Sequence, residues 1–533
     1  PATPVVAPPA SPVPDLTGVA PLPLLGQRLA AYEAYVADAL AEFGVPGAAL
    51  AVVQDGTAVF LQGFGVRALG RPAPVTADTL LRIGSVTKSF SSLLAATLVD
   101  AGRVTWDTPL VDLLPTFAVA DPALTPRLTL ADGFCACSGL PRRDWEFIFN
   151  AAQLTPERML ATMARLPLTA PYGTKYQYSN QMVAAGGFAA AVAAGGAPTE
   201  LGSGYAIALR ERVLDPIGMP RSTLDLGDAM AGDDYATPHV ADIDGALRPL
   251  PLLEDDIWLR AIAPSGALWS NAREMARYVQ TGLNRGINPD GDRIVSADNL
   301  ERTWRPGVKL PAPPPETSPA LATYAGHYAL GWVIGAYGGQ RLVWHSGGTF
   351  GFTSLVTLLP EANFGVAVLT NAVGGVAGPF TTGVTFRLLE LLFDQPPAID
   401  AALAPVRAAA AAGRADFLAR LGAVDATSAA PYLGRWTNPD LGAVTLSWQT
   451  DHLVFDVGGL RSALRSIRDA AGTAIDDVPT DPPLGGFPQE LRLHLEPDAA
   501  GAARLLLTAK AESGEADLVY PFVRSGAPAT PAP

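Results

Sequence analysis

The chain is predicted to fold as an α+β protein: an antiparallel sheet built from N- and C-terminal pieces, a helical subdomain inserted between them, and a separate small all-β domain at the end. Three observations carry this. Strand-rich runs flank a hairpin signal near residue 55 and recur at 340–372. The stretch between, from about 108 to 285, is mostly helical and broken by turn-rich loops. Beyond residue 430, short alternating strands separated by Gly, Pro and Asp replace helical periodicity.

Taken in order, residues 1–23 are rich in Pro, Ala and Val without periodicity and read as an extended linker outside any core. Apolar residues at helical spacing predict a first amphipathic helix over 24–43. In AALAVVQDGTAVFLQGFG, Asp55-Gly56 joins two β-rich runs, because Gly accepts the positive φ of a tight turn. A helix is expected from Val86 to about Ala101, closed by Gly102. The uncharged run 177–199 reads as a packed Ala/Gly helix with its flanking turn, and Pro-rich 311–320 as an exposed loop. Consecutive antiparallel strands fill 340–372, with a turn at 360–363, and a helix follows over 377–394. These divisions predict a main domain over 24–395, a helical connector over 396–429, a β-barrel-like domain over 430–525 and a tail over 526–533.

Composition narrows function. The 533 residues carry a formal net charge of −14 and only 17% charged residues. An acidic chain with no compact Lys/Arg run repels nucleic-acid phosphates and anionic membranes, so small-molecule or polymer substrates fit better. No stretch reaches the roughly 18–20 apolar residues of a membrane helix. The opening PATPVVAPPASPVPDLTG resembles a mature end left after signal-peptide removal, so a secreted or periplasmic protein is expected. The two cysteines, Cys135 and Cys137, are expected to be buried free thiols, because an extended chain points side chains two apart in directions unsuited to a bridge. A zinc site needs about four ligands and the chain has five histidines in all, so no metal is expected.

The chemistry rests on three short segments. No Ser lies in a G-x-S-x-G context, no H-E-x-x-H occurs, and no phosphate-cradling glycine loop is present. Ser85-Val86-Thr87-Lys88 stands at a helix start. Residues three apart share a helical face, so the Lys88 amine can sit beside the Ser85 hydroxyl, where burial and the positive helix end depress its pKa and suit it to act as a base. Tyr178-Ser179-Asn180 lies on a turn before a helix. A phenol there can relay protons if cations stabilise its ionised form, and Asn offers both donor and acceptor. His345-Ser346-Gly347-Gly348 lies on a strand where glycines permit close approach of a substrate backbone. Taken singly, each segment reads equally well as a solvated helix start, a half-buried tyrosine or a strand-end turn.

Together and in this order they resemble the serine β-lactamase and penicillin-binding-protein (D,D-peptidase) superfamily, most of all its class C-like branch, with S-x-x-K, Y-x-N and K/H-x-G. FGVPGAALAVVQDG, LRIGSVTKSF, CSGLPRRD, YQYSN, VLDPIGM, APSGALWSNAREMARYV and WHSGGTFGFTS extend the likeness over about residues 26–395. The resemblance implies a β-lactamase/transpeptidase-like fold with a lipocalin-like C-terminal module. It also implies that Ser85 is acylated, that Lys88 and Tyr178 share the proton work, and that the backbone amides of Ser85 and Gly348 form the oxyanion hole. Asn180 then orients the substrate and Lys88, and His345 lies near Tyr178 on the leaving-group side. No cofactor is implied.

Two departures bear on substrate. His345 stands where true β-lactamases usually carry Lys, and a neutral imidazole binds a carboxylate less strongly than an ammonium does. Cys135-Ala136-Cys137 replaces the usual His-Thr-Ser. The segment from Arg142 to Phe149 is expected to form a loop at the cleft mouth, with Trp145 against the acyl or leaving group. The expected activity is that of an esterase or D-amino-acid peptidase or amidase on small ester, amide or peptide substrates. A D,D-carboxypeptidase or weak β-lactamase is the alternative, and a non-catalytic sensor of the same fold a further one.

Overall fold

A computed structural model describes residues 13–313, 317–487, 490–497, 501–510 and 516–525. The expected tail at 526–533 lies outside these, as do residues 1–12 and part of the Pro-rich loop. The main domain is built on seven antiparallel strands: β1 (Gly47–Gln54), β2 (Thr57–Gly65), β3 (His327–Tyr328), β4 (Val333–Tyr337), β5 (Gln340–Gly348), β6 (Thr353–Leu359) and β7 (Phe364–Thr370). Their order across the sheet is β2-β1-β7-β6-β5-β4-β3. The N-terminal hairpin thus sits beside the last strand, and the helical middle is inserted between them. Asp55 and Gly56 turn that hairpin with φ of 50° and 74°, the paired positive values a tight two-residue turn requires.

The helices that matter here are α1 (Gly26–Phe43), α2 (Thr87–Asp100), α3 (Asp144–Phe149), α4 (Asn180–Ala193), α5 (Ala272–Leu283), α6 (Ala377–Leu392) and α7 (Ile399–Ala419). Strand β1 is buried along its whole length. Its alternate side chains feed two cores: Ala48, Leu50 and Val52 pack with α1 and α6, while Ala49, Ala51 and Val53 belong to the cluster that holds α2 and α5. A one-residue slip would exchange the two faces, so register is tightly specified. Helices α2 and α4 are buried nearly all round, which is why polar groups at their first turns lie inside the protein.

The C-terminal domain is an up-and-down barrel of eight strands: β8 (Gly434–Asn438), β9 (Gly442–Gln449), β10 (His452–Asp456), β11 (Arg461–Arg468), β12 (Ala474–Pro479), β13 (Leu491–Pro497), β14 (Ala503–Ala509) and β15 (Leu518–Arg524). Each pairs with its neighbour in sequence, and β15 pairs with β8 to close the ring. The short strand Leu421–Ala423, which follows α7, adds to β11. Closure removes the exposed edges an open sheet of this size would carry.

Two expectations change. Residues 13–23 do not hang free: Leu16 and Leu24 are buried in the α1–α6 core, and the Leu16 amide donates to the Gly338 carbonyl at 2.6 Å. Leu16, set among prolines without periodicity, still finds a groove to bury its side chain, worth ~1.5–3 kcal/mol, while Leu22 stays exposed. The cysteines are not free thiols. Cys135 and Cys137 form a disulfide across Cα atoms 5.2 Å apart. The premise of an extended chain fails because Ala136 takes φ of 51°, and this left-handed turn brings both side chains to one side.

The barrel docks on the main domain through α3. Phe149 meets Phe455 with ring centroids 5.9 Å apart, and the Asn150 side chain donates to the Asp440 carbonyl at 2.8 Å. Buried Glu146 accepts from the Tyr520 hydroxyl at 3.2 Å and faces Arg143 at 3.9 Å, with Asp440 and Arg165 nearby. Burial dominates and raises its pKa from the ordinary 4.5 to about 7. The folded protein therefore holds this proton more tightly than the unfolded chain. Stability from the protonated carboxyl is fully present below pH 4.5 and is lost as pH rises to about 7. Glu146→Gln keeps an acceptor for Tyr520 and removes the titration. Its stability, followed by thermal melts, is expected to gain on that of the wild type by an amount that grows from pH 4.5 to about 7 and then levels off, at roughly 1–3 kcal/mol.

Candidate active site

Ser85 lies in the one-turn 3-10 helix Gly84–Val86 that leads into α2, and strand β5 presses against that turn. A Cβ on Gly84, which has φ of 51°, would lie 2.6 Å from the Gly348 nitrogen. A Cβ on Gly347 would lie 1.9 Å from the Ile83 carbonyl oxygen. The bareness of Gly347 thus makes room for the protein's own turn. Gly348 is different: it is exposed, and a Cβ there would meet nothing within 4 Å.

Lys88 follows one turn later and is completely buried. Its Nζ stands 2.9 Å from Ser85 Oγ, 2.7 Å from Asn180 Oδ1 and 2.7 Å from the Ser265 carbonyl oxygen. Burial first, and the Arg142 guanidinium second, hold the amine well below its ordinary pKa; Asp144 opposes them. In its neutral form the amine has a lone pair that can accept the Ser85 proton and two N–H groups for the other two partners.

Tyr178 and Asn180 arrive from the start of α4, where Ser179 caps the helix by accepting from the Met182 amide. The Tyr178 ring centroid lies 4.7 Å from Lys88 Nζ and 5.3 Å from the Arg142 guanidinium carbon. Its hydroxyl hydrogen-bonds with Ser85. Burial nevertheless outweighs that bond and the Arg142 charge, and drives the phenol's pKa above its ordinary value. The expectation that cations would stabilise a phenolate gives way: Tyr178 stays protonated, and the basic group of the site is Lys88.

His345 does not face the cleft as a free ring. It is buried; Nδ1 lies 2.6 Å from the Ser346 carbonyl oxygen, and Nε2 lies 2.9 Å from the Tyr328 hydroxyl. Only a proton on Nδ1 suits a carbonyl, so Tyr328 donates to Nε2. Burial, then Lys88, lowers the imidazole's pKa to about 3. The ring stands 6.3 Å from that of Tyr178, centroid to centroid, and backs it as a neutral group whose charge does not vary near neutral pH.

Sequence reasoning gave no role to Asp144, Ser265 or Tyr328. Asp144 accepts from Asn180 Nδ2 at 3.0 and 3.1 Å and from Arg142 Nε at 2.6 Å. This fixes the Asn180 amide so that its oxygen faces Lys88. Ser265 Oγ donates to the Asn180 carbonyl at 2.5 Å. Ser265 and Asp144 fall within quoted motifs, but Tyr328 had no sequence signal. Trp145 packs edge-on to Phe149 at 5.8 Å and lines a cleft of about 530 Å³ that also borders Gly348.

The Cys135–Cys137 bridge lies behind this cluster. Ala136 packs with Tyr178 and Tyr328, and its carbonyl accepts from the Gln177 amide at 2.8 Å. Replacing both cysteines by alanine is expected to lower stability by roughly 1–2 kcal/mol, the modest figure for a very short closed loop, read as a lower melting temperature.

A serine hydroxyl beside a buried lysine of lowered pKa, with a phenol at hand, is suited to acyl transfer. The chain belongs to the beta-lactamase family of serine hydrolases: the family's model, described as Beta-lactamase, matches residues 32–384. Among curated relatives, penicillin-binding protein 4 of Amycolatopsis lactamdurans is 30% identical over 350 residues, 65% of this chain and 86% of that one. An unguisins hydrolase of Aspergillus campestris is 28% identical over 374 residues, 68% of this chain. The chain spans about 65% of that relative's length and 61% of a second unguisins hydrolase, from Aspergillus violaceofuscus. The solved octameric penicillin-binding protein homologue from Pyrococcus abyssi covers 93% of this chain and 99% of its own at TM-score 0.59, and at 20% identity it speaks to fold alone. Among the described residues, no helix is long and apolar enough to cross a membrane.

Proposed function

We propose that the protein is an esterase or D-amino-acid peptidase or amidase that acts on small substrates through an acyl-enzyme on Ser85. The observation that carries this is Lys88 Nζ, buried, depressed in pKa and 2.9 Å from the Ser85 hydroxyl. Neutral Lys88 takes the Ser85 proton as Oγ attacks the substrate carbonyl, and the amides of Ser85 and Gly348 receive the developing oxyanion. The proton then passes by way of the Tyr178 hydroxyl to the leaving alcohol or amine. Water, activated in turn by Lys88, attacks the acyl-serine, and the proton returns to Ser85 as the acid departs. Asn180 positions the Lys88 amine, held in place by Asp144.

His345 favours this reading over a D,D-carboxypeptidase or weak β-lactamase. Its one N–H is given to a backbone carbonyl and its other nitrogen accepts from Tyr328, so it offers no free donor for a substrate carboxylate. The likeness to a penicillin-binding protein keeps that second activity worth measuring. Export fits the Cys135–Cys137 bridge, since disulfides persist in oxidising compartments. Turnover of a nitrophenyl ester, a D-aminoacyl amide, a D-Ala-D-Ala peptide and a chromogenic cephalosporin decides among these. Activity on the first two and not the last two is expected, and the reverse pattern overturns the proposal.

A further inference from the structure

The C-terminal barrel completes the substrate cleft. The cleft that begins at Gly348 is bounded on the main-domain side by Trp145, Trp258 and Phe350, and on the far side by Phe487 and Leu518 of the barrel. These walls are one packed chain of rings. Trp258 meets Phe350 at 5.0 Å, and Phe350 meets Phe487 at 5.9 Å, crossing from one domain to the other two residues beyond the Gly348 amide. Ring-on-ring packing makes the pocket preformed rather than one that must assemble around its ligand. At about 530 Å³ it is much larger than an acetyl group needs and falls within the ~300–1,000 Å³ of sites that hold drug-sized ligands.

The charged groups on the lining are Arg142, Lys510, Asp144 and Glu490, two of each sign, so the pocket has no net charge to select an ion. Arg142 and Asp144 are already paired with each other at 2.6 Å, and Lys510 and Glu490 are exposed at the barrel rim. Ser85, Lys88 and Tyr178 all lie outside this lining; the cleft meets the site at Gly348, Arg142 and Asp144.

We infer that the barrel forms the outer wall of the acyl pocket, and that the pocket selects uncharged esters or amides whose acyl group carries an aromatic ring. This inference rests on Ser85 being the acylated nucleophile. The contact is apolar and aromatic, so the preference appears as a higher kcat/KM for the larger acyl group at constant leaving group. Removing the barrel's ring opens the pocket and lowers that preference.

The test uses the full chain and two esters with one leaving group, 4-nitrophenyl acetate and 4-nitrophenyl 3-phenylpropanoate. The ratio of their kcat/KM values is expected to favour the phenylpropanoate by about tenfold or more in the wild type. In Phe487→Ala it is expected to fall several-fold towards one. Leu518→Ala gives a second, smaller change on the same wall, which keeps the test alive if the first variant folds poorly. Val523→Ser, on an exposed barrel position, is the control and leaves the ratio unchanged. Labelling of Ser85 by a small fluorophosphonate is measured in parallel. Labelled Ser85 with a wild-type ratio near one, or a ratio unmoved by both barrel variants, overturns the inference and leaves the acyl-serine reading standing. Absence of label together with no turnover of either ester overturns the acyl-serine reading, and the inference with it.

Discussion

Ser85→Ala abolishes turnover of every ester and amide substrate, with a loss in kcat on the order of 10⁶-fold, as expected when a covalent nucleophile is removed from a site that works as one unit. Folding is not expected to suffer. Ser85 sits in a short turn whose shape depends on Gly84, Ile83 and the pressing β5 backbone, and the lost hydroxyl is one of three partners of Lys88. The melting temperature therefore stays within a few degrees of wild type while activity vanishes. Circular dichroism melts alongside initial rates check both halves. A Ser85→Ala enzyme that keeps even a tenth of wild-type kcat would mean that another group forms the acyl bond.

Lys88→Met is expected to cost about 10²–10⁴-fold in kcat, the contribution of a positioned general base. Methionine fills a similar volume in the fully buried slot and takes away the amine. The pH dependence distinguishes this role from mere packing. Lys88 must be neutral to accept a proton, so the wild-type rate rises tenfold per pH unit below its folded pKa and levels above it. That pKa lies well below the ordinary lysine value because burial and Arg142 disfavour the ammonium. Neither His345 nor Tyr178 adds a titration in between. His345, lowered to about 3, is neutral throughout, and Tyr178, raised by burial, stays a phenol. A single ascending limb is therefore expected from kcat/KM against pH, and its absence from the small residual rate of Lys88→Met. A limb that survives in that variant would assign the base elsewhere.

Much of this arrangement was legible in the sequence because it depends on local rules. Asp55-Gly56 specifies its hairpin through φ alone, and S-x-x-K at a helix start puts hydroxyl and amine on one face wherever that helix packs. The antiparallel strands over 340–372 and the helix after them follow from apolar alternation and turn residues, and the structure places them as β5, β6, β7 and α6. What the sequence hid depends on neighbours far along the chain. Gly347 looked like a substrate contact, yet its missing side chain makes room for the Ile83 carbonyl, which no pattern near residue 347 reveals. His345 reads as a ring on the leaving-group side, but the ring is enclosed between Ser346 and Tyr328. Cys135 and Cys137 looked unbridgeable on an extended backbone, and the single left-handed residue between them reverses that geometry.

The same distinction explains why the substrate side of the site was the least legible. The nucleophile, its lysine and its asparagine come from two motifs, whereas the acyl cleft is lined by α3, Trp258, the loop after β5 and four barrel residues more than 300 positions beyond Trp145. Only the docking of two domains creates it, and α3 takes part in both tasks: Trp145 lines the cleft while Glu146 and Phe149 grip the barrel.

The central claim is that the oxygen of residue 85 carries the covalent intermediate. Peptide mapping by mass spectrometry after brief exposure to a fluorophosphonate tests it most directly. The account predicts a stoichiometric adduct on the peptide containing Ser85, lost in Ser85→Ala and slowed in Lys88→Met. An unmodified Ser85 peptide, or an adduct confined to any other residue, would contradict it.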